Sequence, residues 1–274
     1  MALPVALRSA VGTHTPRAIK DLADSIGNRP TRAYRKRVSS TQKFQVDFDR
    51  VYFYHIRKCA GTSLVTGLLG ADGRDGPAGY RQLATSKHGW TEIDGRIFVG
   101  WHTGLINEGF YHFGFSHSAS HEIKLPPRTF TVTSLRDPVK RVLSHYRMLR
   151  YFQALRPAEY AMRFEGPWLG DHFSDFLERI PREHLLRQLY VFSPSFDVSE
   201  AADRINGLNR VLFVEALGDG IADLSQTLGV DISPHREKRY DYDVEVSEAE
   251  QARLRELLAP EYRLMELIDH RRGS

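Results

Sequence analysis

The run "RVYFYHI", residues 50–56, constrains this chain more than any other segment. It is continuous, aromatic and β-branched, with no polar alternation. A strand that is apolar on both sides has to be covered on both faces, as a central strand of a parallel sheet is. Directly after it stands "RKCAGTS", 57–63, and "TSLVTGLL", 62–69, reads as a helix stopped at Gly70. A buried strand thus passes through a turn rich in small and hydroxyl residues into a helix. The turn is either an ordinary connection, in which Gly61 bends the chain and Thr62 caps the helix, or a cradle for an anion. As a cradle, Gly61 lets backbone come close to a ligand, and Thr62 and Ser63 open a helix whose free N–H groups and dipole favour negative charge. Lys58 adds a point charge. The order is not the GxxxxGK[ST] of a Walker loop, because the lysine precedes the glycine.

The same alternation recurs along the chain. "RIFVGWH" (96–102), "RTFTVTSL" (128–135) and "RVLFVEAL" (210–217) read as further strands. Helices are expected over 16–26, with Thr15 as cap and Pro16 at the first position, and over 137–155, with Asp137 and Pro138 in those roles. Others are expected over 174–180, 182–190 and 220–230. A C-terminal pair over 246–268 is broken at Pro260 and opened by Ser247 and Glu250 at capping-box spacing. Residues 28–43 read as a basic loop or arm, 71–80 as turn material, and 103–127 as an irregular loop. Strands followed by helices form a parallel sheet with right-handed crossovers, and ligands bind beyond the carboxyl ends of its strands. His55–Ser63, His102 and Arg136 occupy those ends.

A length of 274 residues, 41% of them hydrophobic, suffices for one large core. The division expected is a basic extension, 1–45, and one domain, 46–270. The net charge is +4, yet residues 1–45 hold nine Lys/Arg against Asp21 and Asp24. That segment either attracts an anionic partner or is simply solvated. No apolar run reaches the ~18 residues of a membrane span. The start, "MALPVALRSAVGTHTPR", is a poor secretory signal because Arg8 interrupts it. Cys59 is the single cysteine, so an intrachain disulfide and a multi-cysteine zinc site are excluded, and a reducing, cytoplasmic setting is expected. Cys59 lacks a companion His/Asn signature and reads as a small loop residue. His117 and His121 stand at i,i+4 without a carboxylate to complete a set, so no metal is expected. No helix-turn-helix or aromatic RNA-binding motif marks the chain as a nucleic-acid binder.

"SLRDPVKRVLSHY", 134–146, is the second informative segment. Arg136 ends a strand and Asp137-Pro138 opens a helix. At about 100° per residue, Ser144 returns to within about 20° of Asp137, and Arg141 shares that face. A guanidinium and a hydroxyl there can grip a second phosphate. The alternative is a capped helix whose arginine pairs with a carboxylate.

In combination the two segments resemble the sulfotransferase superfamily, and within it the family of the glycan 2-O-sulfotransferases and their bacterial relatives. "HIRKCAGTSL" is similar to that family's "HIPKTAGTSL" loop, and "RDPVKRVLSHY" to its "RDPxxRxxSxY" element. The likeness extends more weakly through "HLLRQL" (184–189) and 210–230 to cover roughly 50–268. It implies a three-layer, P-loop NTPase-like α/β fold. It implies 3′-phosphoadenylyl sulfate (PAPS) as donor, with Arg57, Lys58, Cys59, Ala60, Gly61, Thr62 and Ser63 around the 5′-phosphosulfate and Arg136 and Ser144 on the 3′-phosphate. It implies that Lys58 stabilises the leaving group, that His102 is the base, and that a carbohydrate hydroxyl is the acceptor. His88, Glu108, His112, His117 and His121 are the other candidates for the base. Arg57 stands where the family has Pro, and Cys59 where it has Thr. Arg147, Arg150, Arg163, Arg236, Lys238 and Arg239 are candidate contacts for an anionic glycan, and the aromatics of "FYHFGF" (110–115) either stack on sugars or fill core. A P-loop small-molecule kinase and an inactive anion-binding relative are the competing readings.

Overall fold

The computed structural model describes residues 29–41, 44–233, 235, 240 and 242–268. The helix expected over 16–26, and Lys43, Arg236, Lys238 and Arg239, lie outside them. In chain order the elements are α1 (Arg29–Ser39), β1 (Arg50–Tyr54), α2 (Gly61–Leu69), α3 (Gly76–Ala84), β2 (Trp90–Ile93), β3 (Arg96–Gly100), α4 (Thr103–Glu108), β4 (Phe113–Ser116), β5 (Thr129–Leu135) and α5 (Pro138–Leu155). Then come α6 (Tyr160–Phe164), α7 (Phe173–Arg179), α8 (Arg182–Leu185), α9 (Arg187–Tyr190), α10 (Val198–Asn206), β6 (Arg210–Phe213), α11 (Leu217–Leu228), α12 (Glu248–Leu257) and α13 (Ala259–Leu267).

The six strands form one sheet in the order β2-β3-β4-β1-β5-β6. All neighbours run parallel except β2, which pairs antiparallel with β3, so the sheet is mixed. β1 is central, as its apolar run requires. Its side chains alternate between two cores. Val51 and Phe53 pack with Leu64 and Leu68 of α2 and Ile221 and Leu224 of α11. Tyr52 and Tyr54 face Val142 and Leu149 of α5, Phe173 of α7, Leu189 of α9 and Leu264 of α13. Helices therefore cover both faces, and no helix among the described residues is long and apolar enough to cross a membrane.

Four segments depart from the sequence reading. Within 71–80, read as turn material, Gly76 opens helix α3, capped by Asp75, which accepts from the Ala78 N–H at 2.9 Å. The 103–127 stretch is not a loop throughout: "FGFS" forms β4 and lies between β3 and β1. Its signal is only four residues long, with Phe113 and Phe115 at period two and Gly114 covered by the Tyr111 ring. Those aromatics, with Tyr111, fill core and present no face to a sugar. β2 and β3 form a hairpin through Asp94 (φ 47°) and Gly95 (φ 75°), the left-handed pair that an Asp-Gly turn favours. Residues 29–39 form a helix where a loop was expected. Its inward residue is a charged one, Arg35, buried against β3 and α4 and paired with Glu108 at 2.8 Å, so apolar periodicity could not reveal it.

The carboxyl half is tied to the sheet by a buried polar cluster. Glu261, at the start of α13, is fully buried and accepts from the backbone N–H groups of Gln188 (2.7 Å) and Leu189 (3.4 Å) and from Gln188 Nε2 (3.1 Å). Arg141 Nε stands 3.7 Å from the same carboxylate. Removing one member of such a buried pair leaves the other charged and unpaired. Glu261→Ala is expected to lower the unfolding free energy by about 3–5 kcal/mol, read by urea denaturation. Glu266→Ala, on the exposed side of α13, is the control and should change it little.

Candidate active site

The carboxyl ends of β4, β1 and β5 lie side by side. Tyr54 is in register with Ser116 on one side and Thr133 on the other. The segments that follow these strands are joined directly. Arg136 donates from a guanidinium nitrogen to the Lys58 carbonyl at 3.2 Å, and Ser134 donates to the Cys59 carbonyl at 2.6 Å. The two sequence segments assigned to anion binding therefore form one surface.

The turn after β1 is held in a sparsely populated backbone shape. Lys58 (φ 68°) and Ala60 (φ 56°) are both left-handed without being glycine. Such residues cost roughly 1–3 kcal/mol each and persist where surrounding contacts over-determine them. Ala60 caps α2 without a side-chain bond. Among the described residues, no backbone acceptor takes the N–H groups of Gly61, Thr62 and Ser63, and the Thr62 and Ser63 hydroxyls make no hydrogen bond. These are the free donors of a helix N-terminus. Ser144 lies half-buried on α5, its hydroxyl likewise unbonded among the described residues.

Lys58 is the charge at this surface. Its ammonium sits 4.5 Å from the Tyr240 ring centroid and 3.7 Å from Met148 Sδ, and no carboxylate pairs with it among the described residues. Burial first, then Arg57 and Arg136, lower its pKa to about 8. An ammonium held among apolar atoms and like charges is short of an anion.

Four residues do something other than the cradle reading implied. Arg57 does not face a ligand with a free charge: it pairs with Glu165, whose other oxygen accepts from His145 Nε2 at 2.7 Å. Burial would raise the Glu165 pKa, but the bond from His145 and the Arg57 charge pull it down to about 2. Cys59 points inward, bonds Gln188 Oε1 at 3.4 Å and has its thiol pushed up to about 12 by burial, so it is neither nucleophile nor ligand. Gly61 makes its close approach to the His55 ring: a Cβ there would lie 1.8 Å from His55 Cδ2. Arg141 is also turned inward. It donates to the His184 carbonyl at 3.2 Å and to that of Leu185, so it grips the turn between α8 and α9 instead of a phosphate.

The candidate bases separate clearly. Glu108 is paired with Arg35 and Arg32. His112 is buried in the sheet and its Nδ1 accepts from the Ile97 N–H at 2.9 Å. His121 packs edge-on against Tyr190, and His88 is exposed in the turn before β2. His102 caps α4: its Nδ1 accepts from the Leu105 N–H at 3.3 Å. It follows β3, two strands from β1, about 10 Å across the sheet. His117 follows β4, the immediate neighbour of β1, and its ring centroid lies 4.2 Å from that of His55. Of the residues proposed for a glycan, Arg150 donates to the Gly170 carbonyl at 3.1 Å. It lines a cavity of about 410 Å³ with Asp171, Asp243, Glu245 and Glu250, an unfavourable wall for an anionic chain.

Sequence reasoning missed Gln188, Glu165 and Glu261, and it named His55 as a strand end without giving it a role. Gln188 is the central one. Its side chain takes both backbone groups of Arg136, accepting from the N–H at 2.8 Å and donating to the carbonyl at 3.0 Å, as a neighbouring strand would. No protein-family model matches the chain, and no curated protein is significantly similar to it.

Three buried or half-buried rings share one electrostatic state. Burial first lowers the pKa of His112, of His117 and of His145 to about 4. In the unfolded chain each titrates near 6.5, so between about pH 6.5 and 4 the unfolded state binds more protons. The stability they contribute is complete above that window and is lost as pH falls through it, by up to about 1.4 kcal/mol per pH unit for each ring. Urea denaturation at pH 7 and pH 5 should show a clear decrease; a flat profile would contradict three neutral rings.

Proposed function

We propose that the protein transfers a sulfuryl group from PAPS to an acceptor hydroxyl, a carbohydrate hydroxyl by resemblance. The observation that carries this reading is the joining of two cationic segments at adjacent strand ends. A helix N-terminus with N–H donors and an ammonium, Lys58, that lack partners among the described residues stand against a second cation, Arg136, and Ser144 lies about two turns along α5, the helix that follows Arg136. A ligand with anionic groups at two separated positions suits such a surface, and 3′-phosphorylated adenosine 5′-phosphosulfate has that form. On this reading the helix-covered sheet corresponds to a three-layer, P-loop NTPase-like fold.

The chemistry follows from the charges. The acceptor oxygen forms a bond to sulfur while the bond from sulfur to the bridging oxygen breaks. The electron pair passes to the adenosine 5′-phosphate, and the acceptor proton goes to a base. Lys58 stabilises the charge that develops on the leaving oxygen, in a site of low dielectric where such a contact is worth most. Arg136 and Ser144 hold the 3′-phosphate, so their loss weakens nucleotide affinity more than it slows transfer. The backbone of Ala60–Ser63 receives the 5′-phosphosulfate. Arg57 keeps the turn in shape through Glu165.

Thermal unfolding with 3′-phosphoadenosine 5′-phosphate (PAP), ATP with Mg²⁺, and DNA discriminates between the readings. Stabilisation by PAP above the others is expected, approaching about 2.7 kcal/mol at a hundredfold excess over Kd. A metal-dependent shift with ATP alone would replace the proposal by a kinase. In transfer assays with labelled PAPS, Lys58→Ala is expected to lose on the order of 10²-fold in rate.

The pH dependence has a definite sign. Lys58 is protonated below its pKa of about 8, and only the protonated form attracts the nucleotide. PAP affinity should therefore fall as pH rises through about 8. Lys58→Arg, which keeps its charge there, should remove that alkaline decline in titration calorimetry.

A further inference from the structure

We infer that His117, and not His102, takes the proton from the acceptor hydroxyl; the inference rests on the sulfuryl-transfer reading. A general base must offer a lone pair, and a neutral imidazole has one only on the nitrogen without the proton. What each ring bonds therefore decides its competence. His102 Nδ1 faces the Leu105 backbone N–H at 3.3 Å, and an N–H can only donate. The lone pair of His102 is thus on Nδ1 and engaged in capping α4, while Nε2 carries the proton and offers a donor. His117 Nδ1 lies 2.8 Å from the His55 carbonyl, and a carbonyl can only accept. Nδ1 therefore carries the proton, and Nε2 holds a lone pair that nothing among the described residues engages.

Position favours the same ring. Ser116 is in register with Tyr54, so His117 and His55 follow paired residues of β4 and β1 and stand beside the Lys58 turn. The ring is fixed from two sides. The His55 imidazole lies against it, and Arg187 of α9 donates to the His117 carbonyl. The charges around it come from each packed element: His55 at the end of β1, Arg57 in the turn, Arg187 in α9, and Glu165 after α6. Burial first, then Arg57 and Arg187 against the opposing His55 carbonyl and Glu165, keeps the ring neutral at pH 7 in the free protein. A bound anionic donor raises its basicity by opposing those cations. The step balances: the hydroxyl proton passes to Nε2, its oxygen bonds sulfur, and PAP departs with the bridging oxygen's electron pair.

The test pairs two asparagine variants. The Asn side-chain amide can still donate to the His55 carbonyl in His117→Asn, and Asn is a good helix cap in His102→Asn. Labelled PAPS serves as donor, with heparosan, chondroitin and 4-nitrophenol as acceptors. His117→Asn is expected to lower kcat by roughly 10²–10⁴-fold with PAP stabilisation unchanged, and imidazole should restore part of the rate in His117→Ala. His102→Asn should stay within a few-fold of the unmodified protein. Nitrogen-15 ring shifts should show the proton on Nδ1 of His117 and on Nε2 of His102. Full activity in His117→Asn, a loss confined to His102→Asn, or reversed tautomers overturns the assignment while leaving sulfuryl transfer intact. An unmodified protein that neither binds PAP nor forms a sulfate ester overturns the transfer reading, and the base assignment with it.

Discussion

The side chain of Gln188 is the contact on which the site depends. It closes on both backbone groups of Arg136, reaches the Cys59 thiol, and is itself held by Glu261. Arg136 in turn bonds the Lys58 carbonyl. A chain of hydrogen bonds thus runs from the start of α13, through the start of α9 and the end of β5, to the turn after β1. Every link is buried or half-buried, so each broken link leaves a polar group without water, at a cost larger than the bond itself is worth. Tyr262, the next residue on α13, donates to Asp137 Oδ2 at 3.1 Å and ties α13 to the cap of α5 as well. The carboxyl-terminal helices are remote in sequence from the turn after β1 and the start of α5, yet they set where those segments sit.

The turn shows how a strained backbone is maintained. Two left-handed residues flank Cys59, and each neighbour is fixed by a separate device. Arg57 is anchored through Glu165 and His145, Cys59 through Ser134 and Gln188, and Gly61 by the His55 ring. Lys58 alone is left with aromatic and thioether contacts and no carboxylate among the described residues. The arrangement commits Arg57 to an internal carboxylate and leaves the Lys58 ammonium without one among the described residues, next to Arg136, whose guanidinium bonds the Lys58 carbonyl. Arg57 and Cys59 are among the anchored residues. They bear on how the turn is supported more than on what it presents.

Legibility differed by the kind of signal. Long apolar runs with a cap at each end were readable: β1, β5, α2, α5 and the α12–α13 pair stand where the sequence indicated, with Asp137 and Ser247 capping as expected. β4 was missed because four residues containing a glycine carry too little periodicity, although its Phe-Gly-Phe alternation was visible. The β2–β3 hairpin had a usable signal in Asp94-Gly95. α1 had none, because the residue it buries is an arginine whose partner, Glu108, is 73 positions away. In the candidate site, motif and spacing drew attention to Lys58, Arg136 and Ser144, and Lys58 and Arg136 do meet in space; for Arg141 the alternative of a carboxylate partner holds, because Glu261 and the 184–185 carbonyls cover it and periodicity alone could not show that.

The chain's local order determined, without reference to anything distant, that a covered strand would run through a turn carrying Lys58 into a helix, and that Arg136 would follow another strand. Side-chain period and capping chemistry are properties of neighbours, so they can be read in one dimension. Which charges remain available could not be read that way. Arg57, Arg141 and Arg35 are neutralised by Glu165, Glu261 and Glu108, and the histidine tautomers are set by a carbonyl at 55 and an N–H at 105. Those pairings depend on sheet order and helix docking, because a proton or an ion pair is assigned by whatever lies within about 3 Å in space, at any separation along the chain.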